Sequence, residues 1–371
     1  MALSRLTALQ SREVCIPQGG GNRGFWHPRR KPRDTNLVKT RAPMTDLIRN
    51  MALTSTLLAS LDAAAASKSF AGLGALVTAT PSGQMLDVSR HASIEVDGRA
   101  LPPLVSFKDL IRARQALDSE APLQTLPIAD LKLPLPATFV QSLGIGLSYP
   151  DHRNDVKLQS TVYFEKNAKP TRLTDPVPLR ENLDYETEVS LLLHRSEPHL
   201  FGYLLHNDLT DRRTQVFEFD KKNPAPGFAK SKSFPLANAH GVLMAVGNES
   251  LWKSLSARLY VNGELRQSLV TANNVLTPTE IHRAIFSDPK LSGTAEWILI
   301  GTGTPSGTIF VAPSKWAQLY LYVRSGFNMT RARESWLKKF QFLAPGDKLE
   351  FRSEVLGHFS SHVEAIDTSH D

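Results

Sequence analysis

The chain has 371 residues, of which 41 % are hydrophobic, enough for one large domain with a substantial core and a second, smaller one. Its net charge of +7 is concentrated at one end. Residues 1–43 hold nine of the 43 basic and two of the 36 acidic residues, which leaves 34 of each in the remainder. The neutral body argues against nucleic-acid and membrane partners, and the lone Cys15 excludes an internal disulfide and a cysteine metal site.

The basic segment 1–43 is predicted to be a disordered tail or a targeting segment. Its first leucines recur at helical spacing between arginines, a pattern typical of organellar transit peptides. The alternative is that translation begins at Met44 or Met51. We therefore expect a cytoplasmic protein, or a mitochondrial one if the segment is a transit peptide. After it, one face of a helix would carry Leu47, Ile48, Met51, Leu58 and Leu61, which favours a packed amphipathic helix.

Residues 44–135 are predicted to form a small N-terminal α/β domain. Short strands around glycine-containing turns are expected over residues 74–103. Ser106 is a predicted N-cap for the helix that follows it. The proline-rich stretch 126–141 indicates an extended connector and places the domain boundary near residue 136.

Residues 136–371 are predicted to form one catalytic domain made largely of strands. Asn262 and Gly263 stand between two alternating runs and predict a β-hairpin. Thr277 is the predicted N-cap of the clearest helix of this half. Because no regular strand–helix–strand alternation is present, an α+β, mainly β fold is favoured over a doubly wound parallel sheet.

A trio of carboxylates in this domain is the first candidate site. Residues two apart on a strand share a face, so Glu186 and Glu188 are expected side by side. Asp208 ends the next apolar strand, which an antiparallel pairing would bring alongside. Adjacent carboxylates repel unless a cation neutralises them, and three of them suit a hard divalent ion. The alternative is that the two glutamates only line a solvated strand face.

The order of short motifs around this trio is characteristic. The motifs are Gly146-Leu147-Ser148-Tyr149-Pro150-Asp151-His152; Phe164 with Lys166; Asp184-Tyr185-Glu186-Thr187-Glu188; Asn207-Asp208-Leu209-Thr210-Asp211-Arg212 with Gln215; Lys232-Ser233-Phe234 with Gly241; Gly303-Thr304-Pro305-Ser306-Gly307; and Gly346-Asp347 with Gly357. In this order they resemble the motifs of the fumarylacetoacetate hydrolase family. The resemblance implies that family's mixed β-sandwich or roll, and a homodimer.

The resemblance also implies roles for individual residues. The implied metal ligands are Glu186, Glu188 and Asp208, holding Mg²⁺ or Mn²⁺, with Ca²⁺ also compatible. The implied catalytic residues are His152 as general base, its carboxylate partner Asp155, and Lys232. The implied substrate-binding residues are Tyr149, Arg212, Gln215 and Thr304. The implied substrate is a 1,3-dicarbonyl keto acid such as an acylpyruvate, whose carbonyl a metal polarises before the C–C bond is hydrolysed.

Other reactions use the same chemistry and stay open. They are decarboxylation of a β-keto acid and hydration or isomerisation of an unsaturated keto acid, and a non-catalytic family member is a further alternative. Two of these residues also have plainer interpretations. Arg212 could only pair with Asp211 or Asp208, and Lys232 could only be a solvated loop charge beside Lys230. His194, His206 and His240 have no metal-like spacing and are interpreted as structural.

Three departures from the family pattern bear on the reaction. Asp155 stands where the family has a glutamate, and Pro235 and Ala239 replace its usual Asp and Pro. Residues 308–344 form a longer segment than the family has, with a basic helix predicted in it. That segment is interpreted as a lid, an oligomer contact or a solvated excursion.

Overall fold

The computed structural model describes residues 70–88, 92–96, 99–101, 104, 106–117, 130–138, 140–151 and 161–365. The tail 1–43, the helix predicted over 47–61, and the catalytic candidates His152 and Asp155 lie outside the described residues.

Strands outnumber helices in the part of the chain that the structure describes. The strands are β1 Leu73–Ala79, β2 Met85–Asp87, β3 Ala92–Ser93, β4 Glu95–Val96, β5 Arg99–Ala100, β6 Val140–Gly146, β7 Val162–Glu165, β8 Pro170–Arg172, β9 Val177–Pro178, β10 Leu183–Asp184, β11 Thr187–His194, β12 Phe201–Asp208, β13 Thr210–Asp211, β14 Asn238–His240, β15 Met244–Gly247, β16 Ser256–Val261, β17 Glu264–Val270, β18 Trp297–Gly301, β19 Lys348–Ser353 and β20 Gly357–Glu364. The helices are α1 Phe107–Gln115, α2 Arg212–Glu218, α3 Ala225–Ser231, α4 Glu249–Trp252, α5 Pro278–Ser287, α6 Pro289–Ser292, α7 Lys315–Arg324 and α8 Met329–Leu337, with a 3₁₀ turn at Thr271–Asn273.

Two sheets form the core. The larger has the strand order β3-β2-β1-β15-β12-β11-β18-β6-β7, with β14 and β8 attached through β12. The smaller has the order β17-β16-β19-β20-β9. Leu191 and Tyr203 of the larger sheet and Leu259 and Phe351 of the smaller one belong to the same buried apolar cluster. The predicted α+β, mainly β fold is therefore confirmed.

The predicted hairpin turn and the two predicted helix N-caps are confirmed. Asn262 and Gly263 both adopt positive φ, 53° and 82°, in the tight turn that joins β16 to β17. Thr277 caps α5 in a reciprocal capping box with Glu280. Ser106 caps α1 by accepting the Asp109 N–H at 3.0 Å.

The N-terminal strands continue the larger sheet. β1 pairs antiparallel with β15, with Leu76 opposite Ala245. At the start of α1, the Phe107 N–H donates to the buried Glu197 carboxylate at 2.9 Å. The domain boundary near residue 136 stays a prediction.

The long segment after Gly307 forms two helices, α7 and α8. Trp316, Leu319, Tyr320 and Val323 line one exposed face of α7. A cavity of about 680 Å³ between the helices is lined by Arg324, Arg331, Glu334, Lys338 and Lys339, among other residues, and by none of the predicted site residues. Among the described residues, no helix is both long and apolar enough to cross a membrane.

Candidate metal centre and active site

Strand pairing brings the predicted carboxylates together. β12 runs antiparallel to β11 with Glu188 opposite His206, and the Asp208 N–H donates to the Glu186 carbonyl at 2.9 Å. One detail of the prediction is wrong, because β11 begins only at Thr187 and Glu186 lies in a break after β10. Glu186, Glu188 and Asp208 are nevertheless all buried, which rules out the solvated strand face.

Three buried cations hold Glu186, Asp208 and a further buried acid, Asp184. Arg212 donates to Asp184 Oδ2 at 2.7 Å and to Glu186 Oε1 at 2.6 Å. Lys232 Nζ lies 2.6 Å from Glu186 Oε2 and 2.7 Å from Asp208 Oδ2. Lys166 Nζ donates to Asp208 Oδ1 at 2.8 Å. Lys232 is therefore not a solvated loop charge, and Arg212 pairs with carboxylates other than the two neighbours considered from sequence.

Each cation is positioned by its own element. Arg212 opens α2, and Gln215 lies one turn further on the same face, where its Oε1 accepts from Arg212 Nη1 at 2.7 Å. Lys232 caps the C-terminus of α3. Lys166 follows β7 directly. Three separate segments therefore deliver positive charge to one carboxylate cluster.

Glu188 differs from the other acids of the cluster. Its side chain is 1 % exposed, and its Oε2 has no hydrogen-bond partner among the described residues. Burial first, and then the nearby Asp208 carboxylate, raise the pKa of Glu188 well above its ordinary value. A buried carboxylate oxygen without a donor is costly unless a proton or a cation reaches it.

The pKa values of its neighbours shift according to their partners. Burial alone would raise the pKa of Asp208, but Lys166 and Lys232 outweigh it and hold that pKa below its ordinary value. Burial alone would lower the pKa of Lys232, but Asp208 and Glu186 raise it. Burial and the nearby Lys166 lower the pKa of His206 well below its ordinary value. At neutral pH the cluster therefore holds an ionised Asp208, a charged Lys232 and a neutral His206.

The residues present fit a divalent cation. One ligand atom each from Glu188, His206 and Asp208 lie within 4.8 Å of one another, and all three side chains are buried. The backbone leaves room for them at Gly301, where an added Cβ would meet Glu188 Oε2 at 2.5 Å and the His206 ring at 3.2 Å. Among the described residues the buried cluster holds four acids, with Asp184, and three bases, so it carries one excess negative charge once Glu188 ionises, and a cation would offset that charge.

The predicted substrate-binding residues occupy different places. Arg212, Gln215 and Thr304, together with Glu186, Asp208 and Lys232, line a cavity of about 20 Å³. That volume suits a water molecule or an ion, so entry of a keto acid requires the lining side chains to move. The Thr304 hydroxyl donates to the Thr187 carbonyl and accepts from Gln267. Tyr149 is buried in the apolar core and is not among the residues lining this cavity, so its proposed role stays a prediction.

Three members of the cluster have no site role in the sequence-based prediction. Lys166 and Asp184 enter it only as parts of motifs, and His206 as a structural residue. For His206 a signal was available, since it precedes Asp208 by two residues on the same strand and therefore shares its face. Asp184 accepts the backbone N–H groups of Ile309 and Phe310, contacts between distant segments that no local pattern predicts.

Replacing Arg212 tests the importance of the buried cation network. The Arg212→Lys variant cannot reach Asp184, Glu186 and Gln215 together, so we expect its free energy of unfolding to fall by about 3–5 kcal/mol in urea titrations. The control is Arg213→Lys, because Arg213 is 41 % exposed and pairs loosely with Glu181 and Glu334. Its effect should stay within about 0.5 kcal/mol. Equal losses in both variants would contradict a special role for Arg212.

Comparison with known proteins identifies the family. The family model described as fumarylacetoacetate (FAA) hydrolase C-terminal matches residues 142–364. The chain therefore belongs to the fumarylacetoacetate hydrolase family, whose enzymes act on keto acids.

Individual relatives are distant. The chain is 24 % identical over 267 residues to oxaloacetate tautomerase YisK of Bacillus subtilis, covering 65 % of this chain and 75 % of that protein. Among solved structures, the "putative HpcE protein" of Mycobacterium smegmatis aligns with a TM-score of 0.50 and 18 % identity over 78 % of this chain and 99 % of that one. Fumarylacetoacetate hydrolase of Exiguobacterium antarcticum aligns with a TM-score of 0.44 and 22 % identity over 64 % of this chain and 79 % of that one. At these identities the structural likeness shows the fold alone.

Proposed function

We propose that this protein is a divalent-metal-dependent enzyme that cleaves a C–C bond in an acylpyruvate-like 1,3-dicarbonyl acid by hydrolysis, through an enolate. The observation that carries the proposal is the buried Glu188 carboxylate, one oxygen of which has no hydrogen-bond partner among the described residues, and which offers a ligand atom within 4.8 Å of those of His206 and Asp208. Mg²⁺ or Mn²⁺ is the proposed ion, with Ca²⁺ also compatible. A bound divalent ion would polarise the keto acid carbonyl and lower the energy of the enolate.

The protein's own side chains would do the remaining work. Lys232 and Arg212 line the cavity and carry positive charge, which suits a substrate carboxylate and the negative charge of an enolate. Gln215 and Asp184 fix the guanidinium of Arg212 from two sides. Both cations are held by buried carboxylates, which keep their positive charge beside the cavity.

Hydrolysis additionally needs a general base to remove a proton from water. His152, with Asp155 as its carboxylate partner, is proposed for this step on the family motif alone. The shorter side chain of Asp155 reaches one methylene less far than a glutamate. A homodimer is likewise proposed on the family resemblance.

Keto–enol tautomerisation is the second candidate reaction. It is favoured by the 24 % identity to a protein named oxaloacetate tautomerase. Tautomerisation requires the same enolate and a proton transfer, but no activated water. Decarboxylation of a β-keto acid also needs only the enolate and stays a third option.

A substrate panel distinguishes these reactions. The protein with Mg²⁺ or Mn²⁺ would be incubated with acetylpyruvate, fumarylpyruvate and oxaloacetate, and pyruvate release, enol absorbance and CO₂ would be followed. We expect pyruvate from the acylpyruvates. Accelerated enol–keto conversion of oxaloacetate without pyruvate release would favour the tautomerase, and CO₂ release the decarboxylase. No turnover with any metal ion would favour a non-catalytic family member.

Whichever reaction that panel detects should depend on Glu186. Glu186→Gln removes the charge that Arg212 and Lys232 hold, and we expect kcat to fall by roughly 10²-fold. Glu181→Gln, at a side chain that is 77 % exposed, is the matched control and should retain the wild-type rate. Unchanged turnover of Glu186→Gln would show that the site lies elsewhere.

A further inference from the structure

His206 belongs to the carboxylate cluster. It lies on β12 directly opposite Glu188 on β11, and two residues before Asp208. Cross-strand partners and residues two apart share one face of a sheet. The fully buried imidazole is therefore on the same face as both carboxylates.

Hydrogen bonds fix which nitrogen of the ring carries the proton. His206 Nδ1 lies 2.9 Å from the Ala239 carbonyl oxygen, which can only accept, so Nδ1 donates. The neutral ring then has its lone pair on Nε2. The His240 ring stacks on it at a centroid distance of 4.2 Å and an angle of 7°, and is itself held by Ser190 and Asn238. A donor nitrogen anchored on a carbonyl is the usual arrangement behind a metal-binding histidine.

The lone pair of His206 Nε2 faces the ammonium group of Lys166. Lys166 Nζ lies 3.1 Å from His206 Nε2 and 2.8 Å from Asp208 Oδ1. The ammonium group thus binds two of the acceptors that a cation would use, while Glu188 Oε2 is left without a partner among the residues described. Binding of a divalent ion to these acceptors requires Lys166 Nζ to withdraw from His206.

We infer that His206 Nε2 is a direct ligand of the metal ion, beside Glu188 and Asp208, in the centre on which the proposed function rests. One nitrogen among carboxylate oxygens shifts the preference of the site away from Mg²⁺, which takes oxygen ligands almost exclusively. Imidazole nitrogen suits Fe²⁺ and Zn²⁺, and the affinity of such a site rises from Mn²⁺ through Fe²⁺ to Co²⁺. The carboxylate ligand set implied by the family motifs predicts no such preference.

Mn²⁺ provides a direct readout of the ligand atom. The protein would be treated with EDTA, exchanged into buffer, loaded with Mn²⁺ and measured by pulsed electron paramagnetic resonance. We expect a ¹⁴N coupling of directly bound imidazole, which changes to a ¹⁵N coupling when the protein is grown with ¹⁵N-histidine. This measurement uses the wild-type chain and does not depend on whether a variant folds.

The His206→Gln variant tests whether the nitrogen coupled to Mn²⁺ belongs to His206. We expect it to lose the coupling and to bind Mn²⁺ roughly tenfold or more weakly by isothermal titration, with a smaller loss for Mg²⁺. His194→Gln is the control, since His194 is partly exposed and lies at the other end of β11. It should keep both the coupling and the affinity, and circular dichroism would verify that each variant is folded.

The outcomes separate this inference from the proposed function. Bound Mn²⁺ without nitrogen coupling in the wild-type protein would overturn the role of His206 and leave the metal-dependent enzyme intact. Coupling that persists in folded His206→Gln would overturn it as well. Failure of the wild-type protein to bind any divalent ion would overturn both proposals.

Discussion

Lys232→Met is expected to lower kcat by about 10²–10³-fold and the free energy of unfolding by about 3–5 kcal/mol. The large effect follows from the three contacts of one ammonium group, with Glu186, Asp208 and Thr210, at 2.6, 2.7 and 2.8 Å. Removing the cation leaves two buried carboxylates with excess negative charge. It also removes positive charge from the cavity where the enolate is proposed to form.

A matched control lies two residues away. Lys230 is 61 % exposed and forms an ion pair with Glu218, so Lys230→Met should change stability by less than about 1 kcal/mol and leave kcat unaffected. Divalent ions should stabilise Lys232→Met more than the wild-type protein, because they replace the lost positive charge. Thermal unfolding with and without Mn²⁺ measures this difference. Wild-type kcat in folded Lys232→Met would contradict the assignment.

Glu188→Gln is expected to have opposite effects on the free energy of unfolding with and without a metal ion. In EDTA at pH 8, the variant should be more stable than the wild-type protein by about 1–3 kcal/mol, because it removes a buried carboxylate whose Oε2 has no partner among the described residues. With saturating Mn²⁺ the order should reverse. An ion at 1,000 times its Kd contributes about 4.1 kcal/mol to the wild-type protein, which exceeds the gain of the variant in EDTA, and the variant lacks a ligand.

The pH dependence follows from the raised pKa of Glu188. Below the ordinary glutamate pKa of 4.5, the folded and unfolded states both carry the proton and no stability is lost. As pH rises above that value, the unfolded state releases its proton while the folded state retains it. The free energy of unfolding in EDTA therefore falls until the folded state also ionises.

The variant should lack this decline, and urea titrations across the pH range would measure it. Glu264→Gln, at a side chain that is 69 % exposed, is the control and should follow the wild-type curve. If the free energy of unfolding of Glu188→Gln varied with pH in the same way as that of the wild-type protein, the pKa of Glu188 would not be raised by its burial.

The sequence predicted most of the local structure and the members of the site that belong to motifs. A tight turn or a helix cap depends mainly on the residues next to it in sequence. The expected turn forms at Asn262-Gly263, and the expected helix caps form at Thr277 and Ser106. Glu188 and Asp208 were predicted because strand alternation and family motifs indicate them. What these residues contact was predictable only in part.

The rest depended on strand register and on distant segments. Strand alternation placed Glu186 on β11, but the chain leaves the strand there and Glu186 instead meets Arg212 and Lys232. Lys166 reaches Asp208 across 42 positions of sequence, and no local pattern encodes that contact. The spacing of histidines along the chain predicts only a structural role for His206, whereas the pairing of β11 with β12 places it opposite Glu188.

The pairing of β1 with β15 has a practical consequence for the design of shortened proteins. A fragment that starts near residue 136 would lack β1 and leave β15 as the outermost strand of the larger sheet. Its residues Met244, Ala245 and Val246 are buried and apolar in the full chain. An apolar edge with unsatisfied backbone groups recruits other strands, so such a fragment would be prone to aggregate even though it contains every described residue of the carboxylate cluster.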